Sequence, residues 1–325
     1  MIELENLTPF KAHGTLLADG VGATELHVFL KASFQYTSAL QLASEQDELL
    51  LEDEYYGEPE SSSLKDCADV QPVKPASDIL VSGHACALNN QACYQMDVAV
   101  LVGSVNKQLR VVGNRQWSSG LATQAESFVR MPVIYERAFS DRSGKRVASN
   151  PVGSNYSAKD HEGKALPNIE LAEAMIQSPA DTPAPAGFAP LAPIWPARAQ
   201  HAGSYDEHWA QNRAPYLPED FNPAFYNCAS PGLIYPGYLS GGELVRVLGM
   251  HADGEWRFNL PSVSPQLQLP ELRQTAALHC ETLRLFPNER RFSMCWHAVI
   301  AQPQKQQKVL KARISLAGAA GESAC

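Results

Sequence analysis

Long apolar runs are missing from this sequence. None exceeds about half a dozen residues, far short of the roughly 20 that a membrane-spanning helix requires. Basic residues are also scarce: 26 Lys and Arg stand against 35 Asp and Glu, a net charge of −9. A net-acidic chain is a poor generic binder of phosphate backbones, so nucleic acid and membrane are both set aside as partners. Charged residues of both signs make up only 19% of the chain, below the roughly 25% usual for soluble domains. The start, MIELENLTPFKAHG, carries acids where a signal peptide needs a basic and then an apolar region, so a cytoplasmic protein is expected. Seven scattered cysteines, at 67, 86, 93, 228, 280, 295 and 325, read as reduced thiols rather than a disulfide framework. P-loop, GxGxxG, GxSxG and HExxH motifs do not occur, and no cofactor is expected.

Apolar residues are not scarce. At 45% of the chain they rule out wholesale disorder, and 325 residues suffice for a sizeable core. In LHVFLKASF, Leu26, Val28, Leu30, Ala32 and Phe34 alternate onto one face, as a strand requires. An acid-rich run follows, with nine acids from Glu45 to Asp66 against one lysine, which reads as a solvated loop or edge. DILVSGHACAL, YQMDVAVLVGSV and QLRVVGNRQW are further strand pieces, with turns at Gly113-Asn114 and Ser118–Gly120. Near the end, LHCETLRLF and RFSMCWHAVI flank PNER as a hairpin. A turn centred on Asn288–Glu289 sets Leu283 opposite Met294 and Leu285 opposite Phe292. That register leaves Cys280, Thr282, Ser293, Cys295 and His297 on the opposite face.

The middle of the chain differs in kind. Fourteen of the 23 prolines lie between Pro132 and Pro236. Proline cannot donate to a backbone ladder, so long helices and central strands are excluded there. The same stretch is dense in aromatics, which supply the burial a disordered linker lacks. A short helix is expected near Tyr205–Gln211, capped by Ser204 or Asp206. The expected fold is therefore mainly β. A β-sandwich-like scaffold carries a long irregular Pro- and aromatic-rich segment, with at most short helices. Its parts are an N-terminal β-rich part (1–130), the Pro/aromatic segment (131–245) and a C-terminal β-rich part (246–325), in one integrated domain.

Chemistry-bearing clusters are thin. Cys280, Cys295 and His297 are a candidate metal constellation lacking a fourth ligand, and ordinary thiols near a histidine are the simpler reading. His84, Cys86 and Cys93 form a second loose cluster without CxxC spacing, and no metal site is assigned to either. Asp206, Glu207, Glu219, Asp220 and Glu243 lie among aromatics as the carboxylates of a sugar cleft would. This keeps a carbohydrate-active enzyme or sugar-binding β protein as the alternative function.

One resemblance rests on an ordered series of elements. RMPVIYERAFS (130–140), NPVGSNY (150–156), LPNIE (166–170) and PAGFAPLAPIWPARAQHAGSYDEHW (185–209) are followed by PYLPEDFNPAFYNCASP (215–231), GYLSGGELVRVLGM (237–250) and RFNLP (257–261). KASF (31–34), KPASDILVSGHA (74–85) and VVGNRQW (111–117) precede them. The series resembles a bacterial domain-of-unknown-function family of type VI secretion accessory proteins. Ser140-Asp141, where members commonly have a Gly-Gly pair after AF, and Cys228, after the FYN element, depart from the family pattern. The resemblance implies a non-enzymatic cytoplasmic adaptor or chaperone. It would bind a secreted effector through its PAAR-type or N-terminal region and help load it onto the secretion spike, with direct contact to a PAAR or spike protein left open. No catalytic residues come with the resemblance. Aromatic and arginine side chains favour interface hot spots, which makes Trp195, Arg198, Tyr205, Trp209, Phe221, Phe225, Tyr226 and Tyr238 the candidate partner-binding residues. For Trp195, Trp209, Phe221 and Phe225 the simpler reading is that they bridge loop to scaffold, and for Arg198 that it stacks on Trp195 or pairs with a carboxylate.

Overall fold

Alternation of apolar and polar residues produces strands in the N- and C-terminal parts of this chain, and in the proline-rich middle only the two-residue strand Ile169–Glu170 forms among the described residues. The computed structural model describes residues 2–59, 61–140, 149–301 and 310–317. From the N-terminus come β1 (Ile2–Asn6), β2 (Lys11–Ala18), β3 (Thr24–Tyr36), β4 (Asp78–Val81) and β5 (His84–Cys86). Then follow β6 (Gln95–Val102), β7 (Val105–Val112) and β8 (Arg130–Pro132). After the proline-rich segment lie β9 (Leu244–Leu248), β10 (Trp256–Asn259), β11 (Pro265–Leu269), β12 (Gln274–Ala277), β13 (His279–Phe286), β14 (Arg291–Ala301) and β15 (Leu310–Leu316).

The central sheet has the order β2-β3-β14-β13-β4, and a second sheet runs through β7-β6-β9-β10. Their facing sides share one core. Leu26, Val28, Leu30, Leu283, Leu285 and Met294 come from the first sheet, and Val98, Val100, Val102, Val245 and Val247 from the second. Phe292 bridges the two, stacked on Phe258 at 4.7 Å and tilted against Trp256 at 6.3 Å. This two-layer packing buries one face of each sheet, as a sandwich does. A third sheet pairs β1 with β15 and β15 with β11.

The hairpin register matches expectation: Leu283 pairs with Met294 and Leu285 with Phe292. Closer to the start of β13 the register shifts between Cys280 and Thr282, so that Cys280 faces Trp296. One extra residue inverts the parity of a strand. Cys280 therefore joins the apolar core and leaves the face on which Cys295 and His297 were expected to meet it. Glu281 takes that place and bonds His297 Nδ1 at 3.0 Å.

The acid-rich run also departs from expectation. Its outer side is solvated, but Asp47 and Asp66, together with Asp69 just beyond it, turn in against the second face of the central sheet. Asp66 pairs with Arg284 at 2.6 Å and Asp69 with Lys31 at 2.9 Å, while Asp69 also meets Arg284 and Asp47 meets Arg291. Lys31, Asp69 and Arg284 are buried. The run is a lid that neutralises cations on β3, β13 and β14. Within reach of the same lid, Cys67 and Cys228 are joined as a disulfide, contrary to the expectation that all cysteines are reduced.

Between β8 and β9 the chain is largely irregular, as its prolines require. It wraps the scaffold and inserts Tyr135, Phe188, Leu191, Trp195 and Leu233 into the main core. Only two short α-helices occur among the described residues: α1 (Pro196–Ala199) and α2 (Glu207–Asn212).

Candidate functional site

The irregular segment makes one excursion, from about residue 194 to 226, that holds most of the residues singled out above. Its base is formed by α1. Pro196 occupies the first helical turn, where its missing N–H costs nothing. Trp195 and Arg198, partner candidates whose simpler reading is a structural one, are buried. Trp195 packs edge-on against Tyr135, ring centroids 5.1 Å apart. Arg198 donates from Nη1 to the Leu191 carbonyl at 2.8 Å and from Nε to the Phe225 carbonyl at 3.0 Å. Its guanidinium also lies over the Phe225 ring, 5.2 Å from the centroid. Burial lowers the pKa of Arg198 from its ordinary value, while the charges of Asp53 and Asp78 act the other way. These two side chains anchor the excursion.

Above them sits an outer aromatic layer. Asp206 caps α2 by accepting from Trp209 N at 2.9 Å, one of the two caps expected. The helix holds Trp209 edge-on to Tyr205 at 4.8 Å, and Trp209 Nε1 donates to the Tyr216 carbonyl at 2.8 Å. Asn222 caps a single 3-10 turn, Pro223–Tyr226, through Ala224 N. That turn gathers Phe221, Phe225 and Tyr226 with centroids 5.4–5.8 Å apart. Tyr205 is 55% exposed and Ile194 69% exposed, while Trp209, Phe221, Phe225 and Tyr226 are half-buried. Five of the eight expected contact residues thus share one surface. Tyr238 lies apart from them: its hydroxyl donates to the Lys74 carbonyl at 2.6 Å and its ring stacks on His279.

The carboxylates of the sugar-cleft reading divide. Asp206, Glu219 and Asp220 line a cavity of about 210 Å³ with Trp209, His208 and Arg213. Asp220 accepts from the Ser204 N–H and hydroxyl at 2.9 and 2.8 Å, and these bonds hold its carboxyl below the ordinary range. Glu207 bonds Gln211, and Glu243 accepts from Ser240 N and Gly241 N elsewhere in the fold.

The thiol clusters carry no metal arrangement. Among the described residues, no group of three or more His, Cys, Asp or Glu side chains is placed to hold a metal ion. Burial pushes the Cys280 and Cys295 thiols up, and it pushes Cys86 and Cys93 up as well.

One constellation lay hidden inside the sequence elements quoted for the resemblance. Asp78, from KPASDIL, accepts from Lys74 Nζ at 2.8 Å, from Asn227 Nδ2 at 2.9 Å and from Cys228 N at 3.0 Å. Asn227 also donates to the Ala76 carbonyl, and Lys74 to Thr282 Oγ1. Two elements 150 residues apart therefore lock each other on the end of β4. Only their joint occurrence in the ordered series signalled this.

A family profile described as an uncharacterized protein conserved in bacteria (DUF2169) matches residues 21–297. No curated protein matches the chain. No solved structure matches it either.

Proposed function

We infer, from the premise that this chain belongs to the DUF2169 family of uncharacterized bacterial proteins, that it acts as a non-enzymatic adaptor or chaperone. Its client in this reading is a type VI secretion effector, held through a PAAR-type or N-terminal region in the cytoplasm and passed to the secretion spike. The sequence resemblance supplies the secretion context. The observation that carries the binding role is the outer aromatic layer of Tyr205, Trp209, Phe221, Phe225 and Tyr226 on its buried Trp195–Arg198 base. Stiff aromatic side chains on a fixed base lose little freedom when a partner covers them, which favours affinity. No helix among the described residues is long and apolar enough to cross a membrane.

Co-expression with a PAAR-bearing effector from the same organism tests this. The effector is expected to become more soluble and to co-purify, and the double variant Trp209→Ala/Phe225→Ala is expected to lose capture while staying folded. An effector equally soluble and equally secreted without this protein overturns the reading.

A second reading is favoured by the small cavity where Trp209 meets Asp206, Glu219 and Asp220. Tryptophan beside carboxylates is a combination suited to holding a sugar ring. Oligosaccharide titration followed by tryptophan fluorescence separates the two functions: a saturable shift lost in Trp209→Ala supports sugar binding, and a flat response disposes of it.

A further inference from the structure

Away from the aromatic excursion, a cleft of about 850 Å³ opens beside the two-stranded ribbon of β5 and β8. This volume falls within the roughly 300–1,000 Å³ of ligand sites. Its floor is rigid. Asn288 Oδ1 accepts from His84 N at 2.8 Å, and Nδ2 donates to the carbonyls of His84 and Met250. A side chain at Gly83 would bring a Cβ within 2.5 Å of Asn288 Oδ1, so the ribbon and the β13–β14 turn interlock closely.

Arg130 stands exposed in this cleft. Among the described residues no carboxylate lies within 4.0 Å of its guanidinium, although the chain as a whole is acidic. Glu289 lines the cleft without reaching it, and Asp66 is committed to Arg284. The contact Arg130 does make is from Nη2 to His84 Nδ1, at 3.2 Å. A guanidinium only donates, so His84 Nδ1 accepts and its neutral ring carries the proton on Nε2. Burial, and then the Arg130 charge, lower the His84 pKa, consistent with a neutral ring. The cleft thus offers a positive fork backed by a second donor. Val129, Pro132 and Phe286 add apolar wall, and Val129 is 38% exposed.

We propose that this cleft binds an extended peptide segment by its carboxylate, which pairs with Arg130 while the preceding apolar side chain lies on Val129, Pro132 and Phe286. The proposal deepens the adaptor reading and rests on it for the view that the natural ligand is a protein. Charge complementarity selects the occupant. An unneutralised guanidinium matches a carboxylate in bidentate geometry, and the apolar wall gives a peptide more than a free anion could use.

Nuclear magnetic resonance titration of the full chain tests it, with acetyl-Leu-Phe-Val bearing a free C-terminal carboxylate as the probe. Its C-terminal amide and sodium acetate are the comparison ligands. The acid is expected to shift Arg130 and His84 resonances saturably and to bind at least about tenfold more tightly than the amide, a difference of about 1.4 kcal/mol. Arg130→Gln is expected to lose that preference with an unchanged melting temperature, and Arg130→Lys to retain part of it. Equal affinity for acid and amide, unchanged binding in Arg130→Gln, or no saturation up to about 10 mM overturns the proposal. Acetate binding as tightly as the peptide reduces the site to an anion site and overturns the peptide assignment. Effector capture that survives Arg130→Gln, with no peptide binding, sinks this proposal and leaves the adaptor standing. Peptide binding with no effector capture does the reverse.

Discussion

Lys74 Nζ and Asp78 Oδ2 lie 2.8 Å apart with both side chains sealed from solvent. A buried ion pair of this kind contributes little net stability when intact, but removing one member strands the other in a poorly solvating interior. Asp78 carries more than one obligation, because the N–H groups of Cys228 and Ala229 and the Asn227 amide also donate to it.

Replacing Asp78 is therefore expected to be severe. Asp78→Ala should lower unfolding stability by roughly 3–5 kcal/mol, and Asp78→Asn by less, because the amide oxygen still accepts from backbone. Urea titration followed by tryptophan fluorescence measures both. A loss below about 1 kcal/mol for the alanine variant would mean that the network is not closed as described.

Asp69 should govern acid unfolding. Burial pushes its carboxyl up, but the charges of Arg284 and Lys31 and the Leu50 N–H outweigh burial and hold its pKa at about 2, below the ordinary 3.8. A carboxyl depressed in the folded state contributes stability that is complete above pH 3.8 and is lost as pH falls through about 2. The contribution is on the order of 2 kcal/mol. Stability measured from pH 5 to pH 2 should fall, and Asp69→Asn should flatten the slope in that window.

A second acid-sensitive window belongs to His27. Its Nδ1 lies 3.0 Å from His297 Nε2, and His297 in turn bonds Glu281. Glu25, whose pKa is raised chiefly by burial and then by Asp19, lies 3.6 Å from the other His27 nitrogen. Burial, and then the neighbouring His297, lower His27 from 6.5 to about 4. The unfolded chain thus takes up a proton that the folded one refuses. The contribution is complete above pH 6.5 and declines as pH falls from 6.5 towards 4. His27→Gln should remove that dependence in thermal melts, and an identical slope in the variant would refute it.

The two layers of the aromatic excursion should separate by stability. Trp195→Ala, in the buried base, should cost about 3–5 kcal/mol. Tyr205→Ala, at 55% exposure, should change stability by less than about 1 kcal/mol. Under the adaptor reading only the second should weaken effector capture without weakening the fold. Matched chemical denaturation and pull-down of the two variants measure it.

Strand positions and faces were legible because alternation is local: Leu26 to Phe34 and the Leu283–Met294 register follow from neighbouring residues alone. The shift at Glu281 was not, since one inserted residue reverses parity without changing composition. Nor could sequence assign the acids of the lid to Lys31 and Arg284. Their partners lie up to 218 residues away, and a paired carboxylate has the same letter as a solvated one. For the candidate site, residue type identified the aromatic set. Burial divided Trp195 from Tyr205, and that division depends on Tyr135, some 60 positions upstream. The cleft at Arg130 combines a ribbon, a hairpin turn and a loop that no single stretch of sequence spans.

Strand β3 is made early and completed late. Its centre-sheet partner is β14, and His27 and His297 sit 270 residues apart. At translation rates of roughly 5–20 residues per second, β3 waits about 15–50 s on the ribosome before β14 can pair with it. Throughout that interval Leu26, Val28, Leu30 and Phe34 lack the strand that belongs beside them, and so does an 11-residue backbone edge. The nascent chain is therefore most exposed to aggregation at this segment, which is where a cellular holdase would be expected to engage it.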